Sequence, residues 1–359
     1  MKQRLVRRTA MVLVLVLLCL SLTGCVTIRV ESNPPAKVPE NSGGLEVHYL
    51  DVGQADCILL QCDGANMLID GGNVEDSDLV VAYLLDQGVT TLDYVVNTHA
   101  HEDHVGGLPG VLAVYEAKNI WCPVEEYSSK CFEDFLRYAD QQDQEPVCPD
   151  PGDVYMLGST QITVLGPVKD DYDTNDTSIV LRADYGQISF LFSGDAEEKA
   201  EKDILEAGFD VSCTVMKAGH HGSETSTCYQ WLRAADPAYA VISVGEGNTY
   251  GHPHDVVLSR LRDADAIVYR TDLQGHIVCT TDGTDVSFET GRYVAVTNPT
   301  ELDGSGQNAT ADLFIGNKNS KKFHLPTCSS LPSEQNRIEF TSYDEAEDAG
   351  YTPCGNCIG

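Results

Sequence analysis

The stretch His99-Ala100-His101-Glu102-Asp103-His104 constrains this chain more than any other feature. It follows the apolar strand-like segment Tyr94–Asn97 and Thr98 directly. Three of the chain's ten His and an Asp fall within six positions. Neutral imidazole and carboxylate are the ligands that suit Zn²⁺ and its borderline neighbours. His99 and His101 are two apart, so on an extended strand end they point to one side. Asp103 and His104 then turn toward a second position as a helix begins. Gly106-Gly107 lets the backbone pass close by.

The rest of the chain has the material to build a fold around such a site. At 359 residues it suggests about two domains, and a hydrophobic fraction of 42% supports a real core. The formal charge of −32 excludes a surface-wide basic footprint for nucleic acid. It does not exclude a nuclease, because a bound cation brings its own positive charge. Thirteen Cys are too sparse for a disulfide mini-protein.

Lys2, Arg4, Arg7 and Arg8 precede an apolar run from Met11 to Leu20, which ends in Leu22-Thr23-Gly24-Cys25. The run is short for a membrane span, and it reads as a signal-peptide core. Small residues before a Cys resemble a bacterial lipobox, which implies acylation of Cys25 and cleavage before it. Loss of residues 1–24 removes four basic residues and no acidic ones, taking the formal charge from −32 to −36. The expected location is the extracellular face of the bacterial cytoplasmic membrane, held by the lipid anchor. Residues 25–44, with Pro34, Pro35 and Pro39, read as a tether.

From Leu45, short strands alternate with helices near Leu79–Asp86, Val111–Tyr115, Phe132–Gln141, Glu197–Ala207, Tyr229–Ala235 and Val256–Asp263. Two strand-rich halves interleaved with helices indicate a layered α/β protein over 45–290. Residues 291–311 form a polar linker, and 312–359 a small Cys/His module.

Several stretches now converge. They are Leu50-Asp51-Val52-Gly53-Gln54-Ala55-Asp56, Leu68-Ile69-Asp70-Gly71-Gly72, Asn175-Asp176-Thr177-Ser178, Phe192-Ser193-Gly194-Asp195, Lys217-Ala218-Gly219-His220-His221-Gly222-Ser223 and Asn248-Thr249-Tyr250-Gly251-His252-Pro253. With the His cluster they resemble the metallo-β-lactamase superfamily, in the branch found at the C-terminus of ComEC/Rec2 competence proteins. The resemblance spans about Leu45 to Glu289. It implies a four-layer αβ/βα sandwich and a metal-dependent hydrolase. It also implies roles. His99 and His101 would bind a first ion; Asp103, His104 and a late His a second, with Asp195 bridging. His220 is taken as the late His because it comes first after its strand, with His221 as its rival or a supporting residue. Asp70 would orient a ligand imidazole. Taken alone, Asp195 also reads as a helix N-cap, since Ala196-Glu197-Glu198 follows.

This chain departs from the broader family in having no His between His104 and His220. The first ion then has two His and the bridge, completed by Asp176 or water. Such a set weakens the site or favours a harder ion such as Mn²⁺ over Zn²⁺. One or two ions would lower the pKa of a water toward about 7 for attack on an electrophilic phosphorus or carbonyl. The resemblance implies that Asp103 and Asp195 would be the catalytic carboxylates, with Asp103 orienting the attacking water. His252 is a candidate contact to the substrate or leaving group. Lys217, Ser223, Asn175 and Ser178 are candidate substrate contacts.

In the tail, His324-x₃-Cys328 and Cys354-x₂-Cys357 have the spacing of one tetrahedral Zn²⁺ site. A disulfide from Cys328 to either partner is the alternative in an exported chain. The segment from Phe314 resembles the metal-binding module of the Ada DNA-repair protein. His324 stands where that pattern has Cys, which argues against thiolate methyl acceptance. Function is expected to be hydrolysis of extracellular DNA, as single strands, or of another small phosphodiester. The alternatives are hydrolysis of carboxylic, thiol or phosphocholine esters, and non-catalytic DNA capture at the surface.

Overall fold

A computed structural model describes residues 43–292, 314–325, 328, 331–340, 343–354 and 358. The signal segment, Cys25, residues 26–42 of the tether, residues 293–311 of the linker and Cys357 lie outside the described residues. No helix among the described residues is long and apolar enough to cross a membrane.

Two seven-stranded sheets face each other. The first runs in the order Val286–Thr290, Ile277–Thr281, Leu45–Tyr49, Ile58–Cys62, Ala65–Ile69, Tyr94–Val96, Ile120–Trp121. The second runs Ile267–Arg270, Tyr239–Ile242, Val215–Lys217, Ile188–Phe192, Val180–Tyr185, Thr160–Gly166, Val154–Leu157. Val47, Tyr49, Leu60 and Ile69 from one sheet pack with Val164, Leu181, Phe190 and Phe192 from the other. The opposite face of the first sheet is covered by helices Ser77–Asp86, Leu108–Val114 and Lys130–Asp140, through Val80, Leu84, Leu108 and Phe135. The second is covered by Glu198–Ala207, Tyr229–Ala235 and Asp255–Asp263, through Ile204, Trp231 and Leu261. Sheets buried on both faces explain the near-continuous apolar strands. The αβ/βα layering is the expected architecture.

Each sheet has an antiparallel part, built from hairpins, and a parallel part reached through helices. In the first, Ala65–Ile69, Tyr94–Val96 and Ile120–Trp121 are parallel. In the second, Phe192, Lys217 and Val241 stand in parallel register. Open parallel strands gather functional groups at their carboxyl ends. Asp70, Thr98-His99, Gly194-Asp195 and Ala218–His221 all follow such ends.

Some details differ from the sequence expectation. Val154–Leu157 forms an edge strand, with exposed Val154 and Met156, that the sequence reading did not include. Glu102–Val105 and Thr271–Gln274 are single-turn helices too short to show a period. The tail forms a four-stranded sheet over Phe314, Phe323 and Phe340. Tyr229 of the larger domain stacks on Tyr343 at 4.4 Å, and Arg233 pairs with Glu347.

Candidate metal centre

The backbone around the His cluster is fixed before any side chain is considered. Gly71 N–H donates to His104 O at 2.7 Å, and Asp56 N–H to Asp103 O at 3.1 Å. A Cβ on Gly107 would lie 2.0 Å from Gly71 O, so the helix start and the strand end touch only because glycine is there. Asp70 is fully buried and accepts from Thr98 N and Thr98 Oγ1, both at 2.7 Å. Its Oδ2 also lies 2.8 Å from His104 Nδ1. This leaves His104 Nε2 facing inward.

Asp103, His104, Asp195 and His221 come together, with one ligand atom from each lying within 4.8 Å of the others. His104 Nε2 is 3.3 Å from Asp195 Oδ1, and His221 Nε2 is 3.3 Å from Asp103 Oδ2. His221 Nδ1 is held at 2.9 Å by Ser243 O. His99 Nε2 and His101 Nδ1 lie 3.0 Å apart, and His99 Nε2 is 3.9 Å from Asp195 Oδ2. His220 Nε2 is 3.6 Å from that same oxygen, while its Nδ1 lies 3.2 Å from Glu197 Oε1.

The cluster fits a divalent cation. His104 Nε2, Asp195 Oδ1 and His221 Nε2 are buried with no hydrogen-bond partner. Orphaned buried polar atoms are costly, and three converging on one point share a natural partner in a cation. The surrounding carboxylates favour the charged form of the imidazoles that face them. Burial acts against the charged form of His221, but Asp195 and Asp56 outweigh it and raise the imidazole to about 10. His104 is likewise raised against burial, by Asp195 and Asp70. His99 goes the other way: burial, then His104, hold it well below the usual imidazole range. It is therefore kept neutral, the form that ligates metal.

The structure corrects several expectations. His221, and not His220, belongs to the four-residue cluster. Both residues have left-handed backbone, with φ of 48° and 54°, and both Nε2 atoms approach Asp195 Oδ2, at 3.6 and 3.7 Å, but it is His221 that also reaches Asp103, while His220 turns its Nδ1 to Glu197. Lys217 is fully buried, paired with Asp56, and donates to Gly194 O at 3.3 Å, so it does not reach substrate. Ser178 is buried too; its Oγ accepts from Asp195 N at 3.1 Å and sits 3.4 Å from His99 Nδ1. Ser223 is spent on Thr225, with the two hydroxyls 3.0 Å apart. Asp176 accepts from Glu197 N at 2.9 Å at the entrance of a helix and does not join the cluster. The N-cap of that helix is Glu197, which removes the capping role for Asp195.

Asn175 and His252 do line a cavity of about 340 Å³ with His101, Asp195 and His220. Burial, then His254, lower His252 to about 4. Beside it lies a cleft of about 600 Å³ bordered by Asp51, Glu75, Asp76 and Glu102. No Lys or Arg among the described residues lines either. Sequence reasoning missed Asp56, which lies 3.3 Å from His221 Nδ1, and Glu197; the former stood in a quoted motif, and the latter was read only as the start of a helix.

In the tail, His324, Cys328 and Cys354 bring their ligand atoms within 4.8 Å of one another, all buried. Elsewhere Cys57, Cys62, Cys122, Cys131, Cys213, Cys228 and Cys279 are buried thiols.

The family model for the metallo-beta-lactamase superfamily matches residues 50–246, and that for the metal binding domain of Ada matches 303–358. ComE operon protein 3 of Bacillus subtilis is 30% identical over 65% of this chain and 32% of its own length. Competence protein ComA of Neisseria gonorrhoeae is 32% identical over 71% of this chain and 34% of its own length. The chain thus spans about a third of these relatives. Hydroxyacylglutathione hydrolase of Stenotrophomonas maltophilia is 39% identical over 19% of this chain. Among solved structures, the metallo-beta-lactamase fold protein YhfI of Bacillus subtilis matches at 12% identity and a TM-score of 0.46, covering 66% of this chain and 100% of that one.

Proposed function

The chain belongs to the metallo-beta-lactamase superfamily, and on that footing we propose that it is an exported, lipid-anchored hydrolase that cuts phosphodiesters at a two-ion centre. The observation that carries this is the meeting of His104 Nε2, Asp195 Oδ1 and His221 Nε2, buried and unpartnered, beside Asp103. Asp103, His104, Asp195 and His221 would hold one ion. His99, His101 and Asp195 would hold the other, with His220 in place of the His that this chain lacks. Imidazole-rich ligation suits Zn²⁺, and the carboxylates also admit Mn²⁺. When bound, such ions bring the pKa of a coordinated water toward about 7 and accept developing negative charge.

The chain's own residues do the rest. Asp103 orients the attacking water by accepting its hydrogen bond. Asp70 and Asp56 fix the rings of His104 and His221 from behind. His252 faces the substrate across the cavity. In the tail, His324, Cys328, Cys354 and Cys357 would hold a structural Zn²⁺. Acylated Cys25 would tether the enzyme at the outer face of the membrane.

The name of one relative, a competence protein, favours a nucleic acid phosphodiester. The acidic rim favours a small phosphodiester or a strand end over a long duplex, because duplex binding draws on clustered Lys and Arg. The likeness to hydroxyacylglutathione hydrolase favours a second reading, thiol-ester hydrolysis. One experiment separates them. The purified full-length protein is analysed for metal and assayed on bis(p-nitrophenyl) phosphate, single-stranded DNA and an acyl thioester, with and without chelator. Expected are bound divalent ions, turnover of a phosphodiester, and a chelator-induced loss of at least ~100-fold that added metal reverses. Thioester turnover alone would transfer the site to the second reading, and chelator-insensitive hydrolysis would sink both.

A further inference from the structure

The loop that carries His252 is clamped by Asn248. Its Oδ1 accepts from His252 N at 3.0 Å, and its Nδ2 donates to His252 O at 2.6 Å. The imidazole itself is held from the other end of the chain. Gly245 N–H donates to Gln54 Oε1 at 3.1 Å, which identifies that atom as the carbonyl oxygen. The remaining amide atom, Nε2, lies 3.2 Å from His252 Nδ1. An amide NH₂ only donates, so Nδ1 must offer its lone pair and the ring proton must sit on Nε2. Gly245 permits this approach: a Cβ there would lie 2.7 Å from Gln54 N.

We propose that Gln54 is a positioning residue that locks His252 in the Nε2–H tautomer, and that this N–H donates a hydrogen bond to an oxygen of the scissile ester group. The inference rests on the hydrolase reading above and adds a specific donor to it. His252 lines the cavity that contains Asp195 and His101, with its ring edge-on to His220 at 5.7 Å. No proton leaves the ring. The bond tightens as negative charge grows on the oxygen, which makes it a transition-state contact.

The test is Gln54→Glu in the full-length protein. The new carboxylate keeps the bond from Gly245 N–H but turns an acceptor toward Nδ1, drawing the proton there. Long-range ¹H–¹⁵N spectra of ¹⁵N-histidine protein at pH 8, with and without Zn²⁺, read the tautomer directly. The wild type is expected to show His252 protonated on Nε2, and Q54E on Nδ1, with metal content unchanged. On bis(p-nitrophenyl) phosphate, kcat falls on the order of 100-fold, the effect of losing one aligned donor. His252→Gln, which retains an N–H, keeps more activity than His252→Ala. A wild-type His252 protonated on Nδ1, or an inverted tautomer with unchanged kcat, overturns the proposal. A wild type that binds no metal and turns over no ester overturns the hydrolase reading instead, and the tautomer spectrum distinguishes the two failures.

Discussion

Replacing Asp195 by Asn is expected to abolish hydrolysis and to remove bound metal, while leaving the fold intact. Asp195 is buried at the point where four candidate imidazole ligands converge. His99, His104, His220 and His221 all approach its two oxygens within 3.3 to 3.9 Å. The Asn side chain keeps the volume and loses the charge, so packing around it survives. A residue behind the ligands, such as Asp70, typically costs about 10–100-fold in affinity or activity when lost. A shared carboxylate should cost more, at least ~1,000-fold in kcat/KM, and should lower metal content in parallel. Metal analysis, circular dichroism and kinetics on the same sample check this. Near-normal metal content and activity in D195N would remove the bridge from the account.

The second large effect is on stability. Lys217→Met is expected to destabilise the metal-free protein by about 3–5 kcal/mol, the usual cost of leaving one partner of a buried ion pair uncompensated. Lys217 and Asp56 are both almost completely buried. Burial pushes the Asp56 carboxyl up, but Lys217 and then His221 overcome it and hold it at about 2. A carboxyl depressed in the folded state adds stability above its unfolded value, near ~3.9, and loses it as pH falls toward 2. Without Lys217 that depression shrinks, so acid sensitivity should move to higher pH. Urea unfolding with chelator present, at pH 7 and pH 4, measures both effects free of metal linkage. The double variant Asp56→Leu with Lys217→Met should recover part of the loss, because no buried charge is then stranded. A loss below ~1 kcal/mol in the single variant would contradict the pairing.

The contrast between these residues shows what a sequence can carry. The cluster His99–His104 was legible because its ligands are contiguous and follow a recognisable strand, so local geometry alone puts them together. Asp195 was legible only through the ordered set of motifs, since its local context reads equally well as a cap. The choice between His220 and His221 was not legible. It depends on two successive residues in left-handed conformation, which set the adjacent rings at 66° to each other, so that His221 reaches Asp103 and His220 reaches Glu197. Lys217 misled for another reason. Val215–Lys217 is a three-residue central strand buried throughout, and a lysine there looks like a surface charge until its partner, Asp56, arrives from 161 positions away. Ser178 and Ser223 failed as substrate contacts because hydroxyls in such loops satisfy backbone and neighbours first. The layered fold was legible from strand and helix periods. The edge strand Val154–Leu157 was not, because its four consecutive apolar residues show no polar alternation, although Val154 and Met156 face solvent.

The most direct test of the whole account is anomalous diffraction from crystals of the protein grown with Zn²⁺ or Mn²⁺. Two peaks about 3.5–4 Å apart should flank Asp195, one toward Asp103, His104 and His221, the other toward His99, His101 and His220. Crystals with metal at the tail cysteines but no density between those side chains would contradict it.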